Sequence, residues 1–151
     1  MLALVNFIMI IMEYTTNQKG LITELEVALY LIKSGYAVSQ PLNADSKYDL
    51  ILDTGKQLLR IQVKTSHLDS PNKIVFNCRS ITGRKENGEL KTKYYSVNDI
   101  DYFATMWNNQ CYLIPVQECS ARKALHLSRD IIRSNYSYAE DYIAEEVLKK
   151  L

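Results

Sequence analysis

Two short apolar runs joined by a glycine turn constrain this chain more than any other stretch. The first, Tyr48-Asp49-Leu50-Ile51, carries an acid near its start, and the second, Ile61-Gln62-Val63-Lys64-Thr65, alternates apolar residues with an amide and a lysine. Asp53-Thr54-Gly55-Lys56 lies between them. Period-two alternation predicts strands over 48–52 and 57–66, with Leu59, Ile61 and Val63 on one side and Arg60, Gln62 and Lys64 on the other. A two-residue turn at Thr54-Gly55 sets Asp53 opposite Lys56 and Asp49 opposite Arg60. Asp49 then shares a face with Gln62 and Lys64. A carboxylate, an amide oxygen, a main-chain carbonyl and an ammonium gathered this way suit a hard cation beside a phosphate group.

The flanking sequence supplies elements to hold such a hairpin. Thr15 or Thr16 predicts an N-cap for a helix running to about Ser34, with Gly35 as its left-handed stop. Leu21, Leu25, Ala28, Leu29 and Ile32 make the expected inward stripe. Glu24 falls on or beside that stripe and needs a partner there, whereas Glu26 points away into solvent. Further strands are expected over 36–42, 73–79, 111–116 and, weakly, 124–128. Residues 99–107 read as a short helix or turn. Ser137-Tyr138-Ala139-Glu140 reads as a capping box opening a last helix, whose apolar face is Ala139, Tyr142, Ile143 and Val147. With Tyr138, this face offers an assembly surface or packs on its own domain. The order of elements predicts an α/β chain of the α+β type, a mixed sheet flanked by helices.

At 151 residues the chain is long enough for one domain with a real core. That domain is expected over 13–151. Residues 2–12 are apolar apart from Asn6 and too short to span a membrane. They read as dispensable upstream sequence, with Met9 and Met12 as further possible starts, or as an apolar arm covering another surface. Cys78, Cys111 and Cys119 lack CxxC spacing. They predict buried or half-buried thiols in a reducing, cytoplasmic interior. His67 and His126 are the only histidines, and glycine patterns for nucleotide phosphates are missing.

The net charge is only +1, but it is unevenly spread: residues 56–93 carry nine Lys and Arg against three acids. A polyanion would meet the middle of the chain. The stretch from Arg79 to Lys93 predicts a long hairpin leaving the core, with Arg79, Arg84, Lys85, Lys91 and Lys93 along it. A two-stranded ribbon fits a DNA major groove. Lys85 and Asn87 near its tip are the expected base readers, and Lys91 and Lys93 the expected phosphate contacts. Lys19, at the start of the first helix, is a further phosphate candidate. Tyr94 and Tyr95 read as sheet residues.

Glu24, Asp49 and Gln62-Val63-Lys64, in that order, resemble the motif of the PD-(D/E)xK nuclease superfamily. The likeness runs from about Lys19 to Val116. It implies an α-β-β-β-α-β core and a metal-dependent endonuclease acting on double-stranded DNA, with products bearing a 5′-phosphate and a 3′-hydroxyl. Mg²⁺ would be held by Asp49, the Gln62 side chain, the Val63 carbonyl and Glu24, with Lys64 beside the attacking water. Tyr48 stands where the motif has proline, and Gln62 where it has an acid. The tail from Arg133 to Tyr142 is similar to that of the homing endonucleases of cyanobacterial group I tRNA introns, which also use glutamine at that position. That likeness implies a homotetramer on a long DNA site, with a dimer as the smaller option. Structure-specific cleavage of four-way junctions, or a catalytically silent DNA-binding relative, are the alternatives. No membrane partner is expected.

Overall fold

The structure is a computed structural model that describes residues 13–151. The expectations for residues 1–12 lie outside the described residues. Helix α1 spans Thr16–Lys33. Thr15 Oγ1 accepts from the Gln18 N–H at 3.2 Å, and Gln18 Oε1 accepts from the Thr15 N–H at 2.8 Å. This reciprocal cap satisfies two otherwise orphaned donors and is worth about 1 kcal/mol. Gly35, with φ of 92°, ends the helix as expected.

Ten strands follow: β1 (Ala37–Ser39), β2 (Leu50–Asp53), β3 (Leu58–Val63), β4 (His67–Ser70), β5 (Lys73–Asn77), β6 (Arg79–Arg84), β7 (Leu90–Tyr94), β8 (Tyr102–Trp107), β9 (Gln110–Pro115) and β10 (Arg122–His126). A 3₁₀ turn at Ala139–Tyr142 precedes the short helix α2 (Ala144–Leu148). The main sheet runs β1-β2-β3-β8-β9, with β3 and β8 parallel and the other pairs antiparallel. A second sheet has the order β10-β5-β4, and β6 and β7 form a separate two-stranded ribbon. The mixed α+β architecture is the one expected. Among the described residues no helix is long and apolar enough to cross a membrane.

Two cores hold these layers together. Val27 and Leu31 of α1 pack on Leu50, Leu52, Leu59, Ile61 and Leu113, with Ala144 and Leu148 of α2 joining them. On the other side, Phe103 and Ile114 meet Ile74, Phe76 and Leu125 of the second sheet.

Several expectations are corrected. The inward face of α1 is Thr23, Val27 and Leu31, spaced four residues apart. The expected stripe remains largely in solvent: Leu21 is 53%, Leu25 54%, Leu29 51% and Ile32 54% exposed, and only Ala28 reaches the core. The helix carries two apolar faces, and the sheet takes the one bearing Val27 and the flanking Glu24. Residues 102–107 form a strand, not a helix. Phe103, Ala104 and Thr105 are buried in succession because β8 lies between β3 and β9. Asn108 and Asn109, both with positive φ, turn β8 into β9. Strand β4 has no counterpart among the expected elements. The capping box at Ser137 does not form, and Tyr138 and Ala139 are buried against their own domain. All three thiols are free, with Cys78 and Cys111 buried and Cys119 half-buried.

The crossover into β8 is tied by charge. Arg60 donates to Asp101 from Nε at 3.1 Å and Nη2 at 2.9 Å, and to the Asn98 and Val97 carbonyls at 2.8 and 2.9 Å. Asp99, next to it, is buried and accepts from the Ser96 N–H and hydroxyl, each at 3.0 Å, and from Lys47 Nζ. The Lys47 ammonium and the Ser96 donors hold the Asp99 carboxyl down at about 2. A depressed carboxylate contributes stability above its unfolded pKa, near 4, and loses it as pH falls toward 2. Asp99→Asn is therefore expected to lower the unfolding free energy at pH 7 and to flatten its fall between about pH 4 and pH 2. Urea titrations of both proteins across that range check this.

Candidate active site

The hairpin register decides which groups meet. Leu50 pairs with Ile61, Ile51 with Arg60 and Asp53 with Leu58. This places Asp49 beside Gln62, not opposite Arg60 as a two-residue turn at Thr54-Gly55 would require. The turn is wider: the Thr54 N–H bonds the Gln57 carbonyl at 3.1 Å, and the Asp53 carboxylate takes the Gly55 N–H at 2.7 Å. Gly55 has φ of 78°, which a side chain would strain.

Asp49 sits just before β2, its own N–H bonded to the Ile61 carbonyl at 2.9 Å. Its Oδ2 accepts from Gln62 Nε2 at 2.6 Å and from the Val63 N–H at 2.7 Å. Burial pushes the Asp49 carboxyl up, opposed by the Val63 N–H, the Lys64 charge and the Gln62 amide. Glu24 faces it from α1. Burial, and then the negative charge of Asp49, raise Glu24 as well. Lys64 is half-buried, and its N–H binds the Ala104 carbonyl of β8 at 2.9 Å. Burial lowers its ammonium, which the charge of Asp49 counters. Glu24, Asp49, Gln62 and Lys64 thus belong to one neighbourhood drawn from α1, the residue before β2, β3 and the residue after β3. A cleft of about 210 Å³ opens on it, walled by Glu24, Gln40, Asn43, Ser46, Tyr48 and Asp49. A larger hollow of about 720 Å³, bordered by Tyr30, Lys33, Trp107 and Asn108, holds none of the four.

Among the described residues no three His, Cys, Asp or Glu side chains gather as a ready cation cage. The donor set still suits a hard cation. Two carboxylates press on each other in a half-buried place, a repulsion that a divalent ion would relieve. Gln62 turns its NH₂ group toward Asp49, and the same nitrogen lies 3.4 Å from the Val63 carbonyl. Rotating the amide by half a turn would present its oxygen in that position.

Sequence reasoning missed the contact that sets α1 against the hairpin. Thr23 Oγ1 and Thr65 Oγ1 are 2.9 Å apart, linking the residue before Glu24 to the residue after Lys64. It also missed Tyr95, half-buried beyond β7, whose ring lies under Lys64 Nζ at 5.2 Å from the centroid. Neither residue type announces such a role without the register.

The basic excursion forms the expected ribbon, with Arg79 opposite Tyr94, Ser80 opposite Lys93 and Gly83 opposite Lys91. Residues 81–94 are all exposed. At the tip Lys85 pairs with Glu89 at 2.8 Å, Arg84 Nη1 donates to the Gly88 carbonyl at 3.0 Å, and Asn87 Oδ1 accepts from the Glu89 N–H at 3.1 Å. Arg79, Lys91 and Lys93 lie along its strands. Lys19 is exposed on the first turn of α1.

The family model for PD-(D/E)XK endonucleases matches residues 14–144. No curated protein sequence matches the chain. Among solved structures, the bacterial homing endonuclease I-Ssp6803I is similar in fold, with a TM-score of 0.73 at 23% identity, over 91% of this chain and 95% of that one.

The amide at position 62 is testable. Gln62→Glu replaces a donor to Asp49 with a third carboxylate. It is expected to lower the melting temperature in EDTA and to raise the gain on adding Mg²⁺ above that of the unaltered protein. Thermal scans with and without the ion read both effects. An equal loss in both conditions would make Gln62 purely structural.

Proposed function

We propose that this chain, which belongs to the PD-(D/E)XK endonuclease family, hydrolyses phosphodiesters of double-stranded DNA at a specific sequence, as a homing endonuclease does. The observation that carries the reading is the opposition of Glu24 and Asp49 at a cleft mouth, with Lys64 beside them. Two acids facing a phosphate would repel it without a cation. Asp49, the Gln62 amide oxygen, the Val63 carbonyl and Glu24 would hold Mg²⁺, an ion that prefers oxygen donors. When bound, it supplies positive charge at the scissile phosphate and lowers the pKa of water.

The chain's own groups do the rest. Asp49 is held at Oδ2 by the Val63 N–H, a bond that does not depend on which way the Gln62 amide is turned, so its carboxylate would keep its place when that amide turns its oxygen to the ion. Lys64 offers ammonium donors to a phosphate oxygen or to the incoming water. Its lowered affinity for a proton makes it easier to pass one at Nζ. In-line attack leaves a 5′-phosphate and a 3′-hydroxyl. The exposed ribbon supports the choice of duplex DNA: its width and charge suit the major groove, with Lys85 and Asn87 at the tip and Arg79, Lys91 and Lys93 along the phosphates. Arg84 and Lys19 extend that basic surface. The likeness to a bacterial homing endonuclease supports the sequence-specific reading.

One chain supplies one centre, whereas a duplex has two strands to cut. We therefore infer a homo-oligomer of two or four copies. The exposed row of Leu21, Leu25, Leu29 and Ile32 on α1 is the apolar surface a second copy would cover.

Cleavage of random-sequence duplex pools in Mg²⁺ tests the activity, and recovery of one enriched cut sequence is expected. Lys64→Ala and Asp49→Ala should each lower single-turnover cleavage by roughly 10²-fold or more while leaving gel-shift affinity nearly unchanged. Undiminished cutting by either variant would remove the site. For assembly, Leu25→Glu with Leu29→Glu is expected to reduce the sedimenting mass to that of one chain. A mass unaffected by the two charges would place the interface elsewhere.

A further inference from the structure

Lys64 has an aromatic neighbour that the proposed chemistry does not yet use. Among the described residues its ammonium has no salt-bridge or hydrogen-bond partner. It lies over the ring of Tyr95, 5.2 Å from the centroid, within the range of a cation–π contact. Tyr95 in turn stands edge-on against Phe103, with centroids 5.4 Å apart and planes at 85°. Phe103 is buried in β8, and the next residue, Ala104, accepts the Lys64 main-chain N–H. The backbone and the side-chain tip of Lys64 are thus both referred to the same central strand. We propose that Tyr95 is a positioning residue, its ring the shelf that fixes the Lys64 ammonium at the reacting phosphate. This rests on the nuclease reading above.

A shelf of this kind has a chemical advantage over a carboxylate. A lysine stem is long and rich in rotamers, so an unheld ammonium would visit many places. A carboxylate partner would hold it but would occupy its donors and cancel its charge. A ring face attracts the charge through its quadrupole and accepts no strong hydrogen bond. The N–H donors stay available for phosphate or water. Tyr95 also follows directly on Tyr94, the last residue of the ribbon strand β7, which pairs with Arg79 at the ribbon's root. The side chain that places the lysine therefore sits where the DNA-reading arm joins the body.

The test compares Tyr95→Leu with Tyr95→Phe in the full chain. Tyr95→Leu is expected to lower the single-turnover cleavage rate roughly tenfold, with the duplex Kd moving less than about threefold, because placement fails while the charge remains. Tyr95→Phe, which keeps the ring, should restore most of the rate. The second readout needs no catalysis. In protein labelled with ¹³C-lysine, the Lys64 Hε resonances, identified by their loss in Lys64→Arg, should be shifted upfield by the ring in the unaltered protein and in Tyr95→Phe. They should return to ordinary positions in Tyr95→Leu. Unshifted Lys64 resonances in the unaltered protein, or full-rate cutting by Tyr95→Leu, would overturn the proposal. If the unaltered protein cuts no duplex, the nuclease reading falls on its own, and the resonances alone decide whether the shelf exists.

Discussion

The site depends on two hydrogen bonds to one oxygen. Asp49 Oδ2 takes the Gln62 amide and the Val63 N–H, at 2.6 and 2.7 Å. These bonds fix the hairpin register at its open end, as the Asp53 turn fixes it at the closed end. A slip of one residue would turn Gln62 toward the other face and remove both donors. The same pairing brings Leu50, Leu52, Leu59 and Ile61 onto Val27 and Leu31 of α1. Core packing and site geometry are therefore two consequences of one register, and neither can shift without the other.

Helix α1 adds the second acid by the same economy of position. Its inward face is set by Val27 and Leu31, and Glu24 lies one turn before Val27 on the edge of that face. Thr23 locks to Thr65 at 2.9 Å and fixes where the edge falls relative to Lys64. Two carboxyl groups raised by burial, and an ammonium lowered by it, share a small volume. Each has its proton affinity moved away from that of the free side chain. Such groupings are frequent where charge must be handled during a reaction, and less so where a fold only needs to stand.

Much of this was legible in the chain because local rules and the fold agree there. The Thr15 cap, the Gly35 stop and the alternation of Leu59 to Lys64 each state a conformation directly. Glu24 and Gln62 could be placed on elements because α1 and β3 are regular, whereas Asp49 and Lys64 fall just outside β2 and β3, the strands expected to carry them. The failures have physical causes. The leucines at 21, 25 and 29 have helical spacing, but spacing does not say which of two apolar faces the sheet will take. Residues 102–107 lack alternation because a central strand is buried on both faces, which removes the period-two signal. The Asn108-Asn109 pair, which suits a tight hairpin turn, was the available correction. Counting residues makes the turn at Gly55 too tight because Asp53 closes it with its own side chain, which spacing does not reveal.

The apolar face that α1 leaves exposed among the described residues and the basic ribbon raise a common question about work done outside the domain. A row of four large aliphatic side chains, each about half exposed, is expensive to leave in water, at about 25 cal/mol per Å² of apolar surface. An arm whose residues 81–94 are all exposed forms its own two-stranded sheet, apart from the main one. A two-stranded hairpin standing alone is marginal in water. Both features contribute little to the stability of a single chain, and both are explained if the working unit is larger than the chain. A duplex would order the ribbon from one side, and a symmetric neighbour would dry the helix from the other. The two cores between them would then hold Asp49, at its cleft mouth, in a fixed relation to the Asp49 of the neighbouring copy. That task would need rigidity more than size, and the two Asp49 bonds that fix the hairpin register supply it.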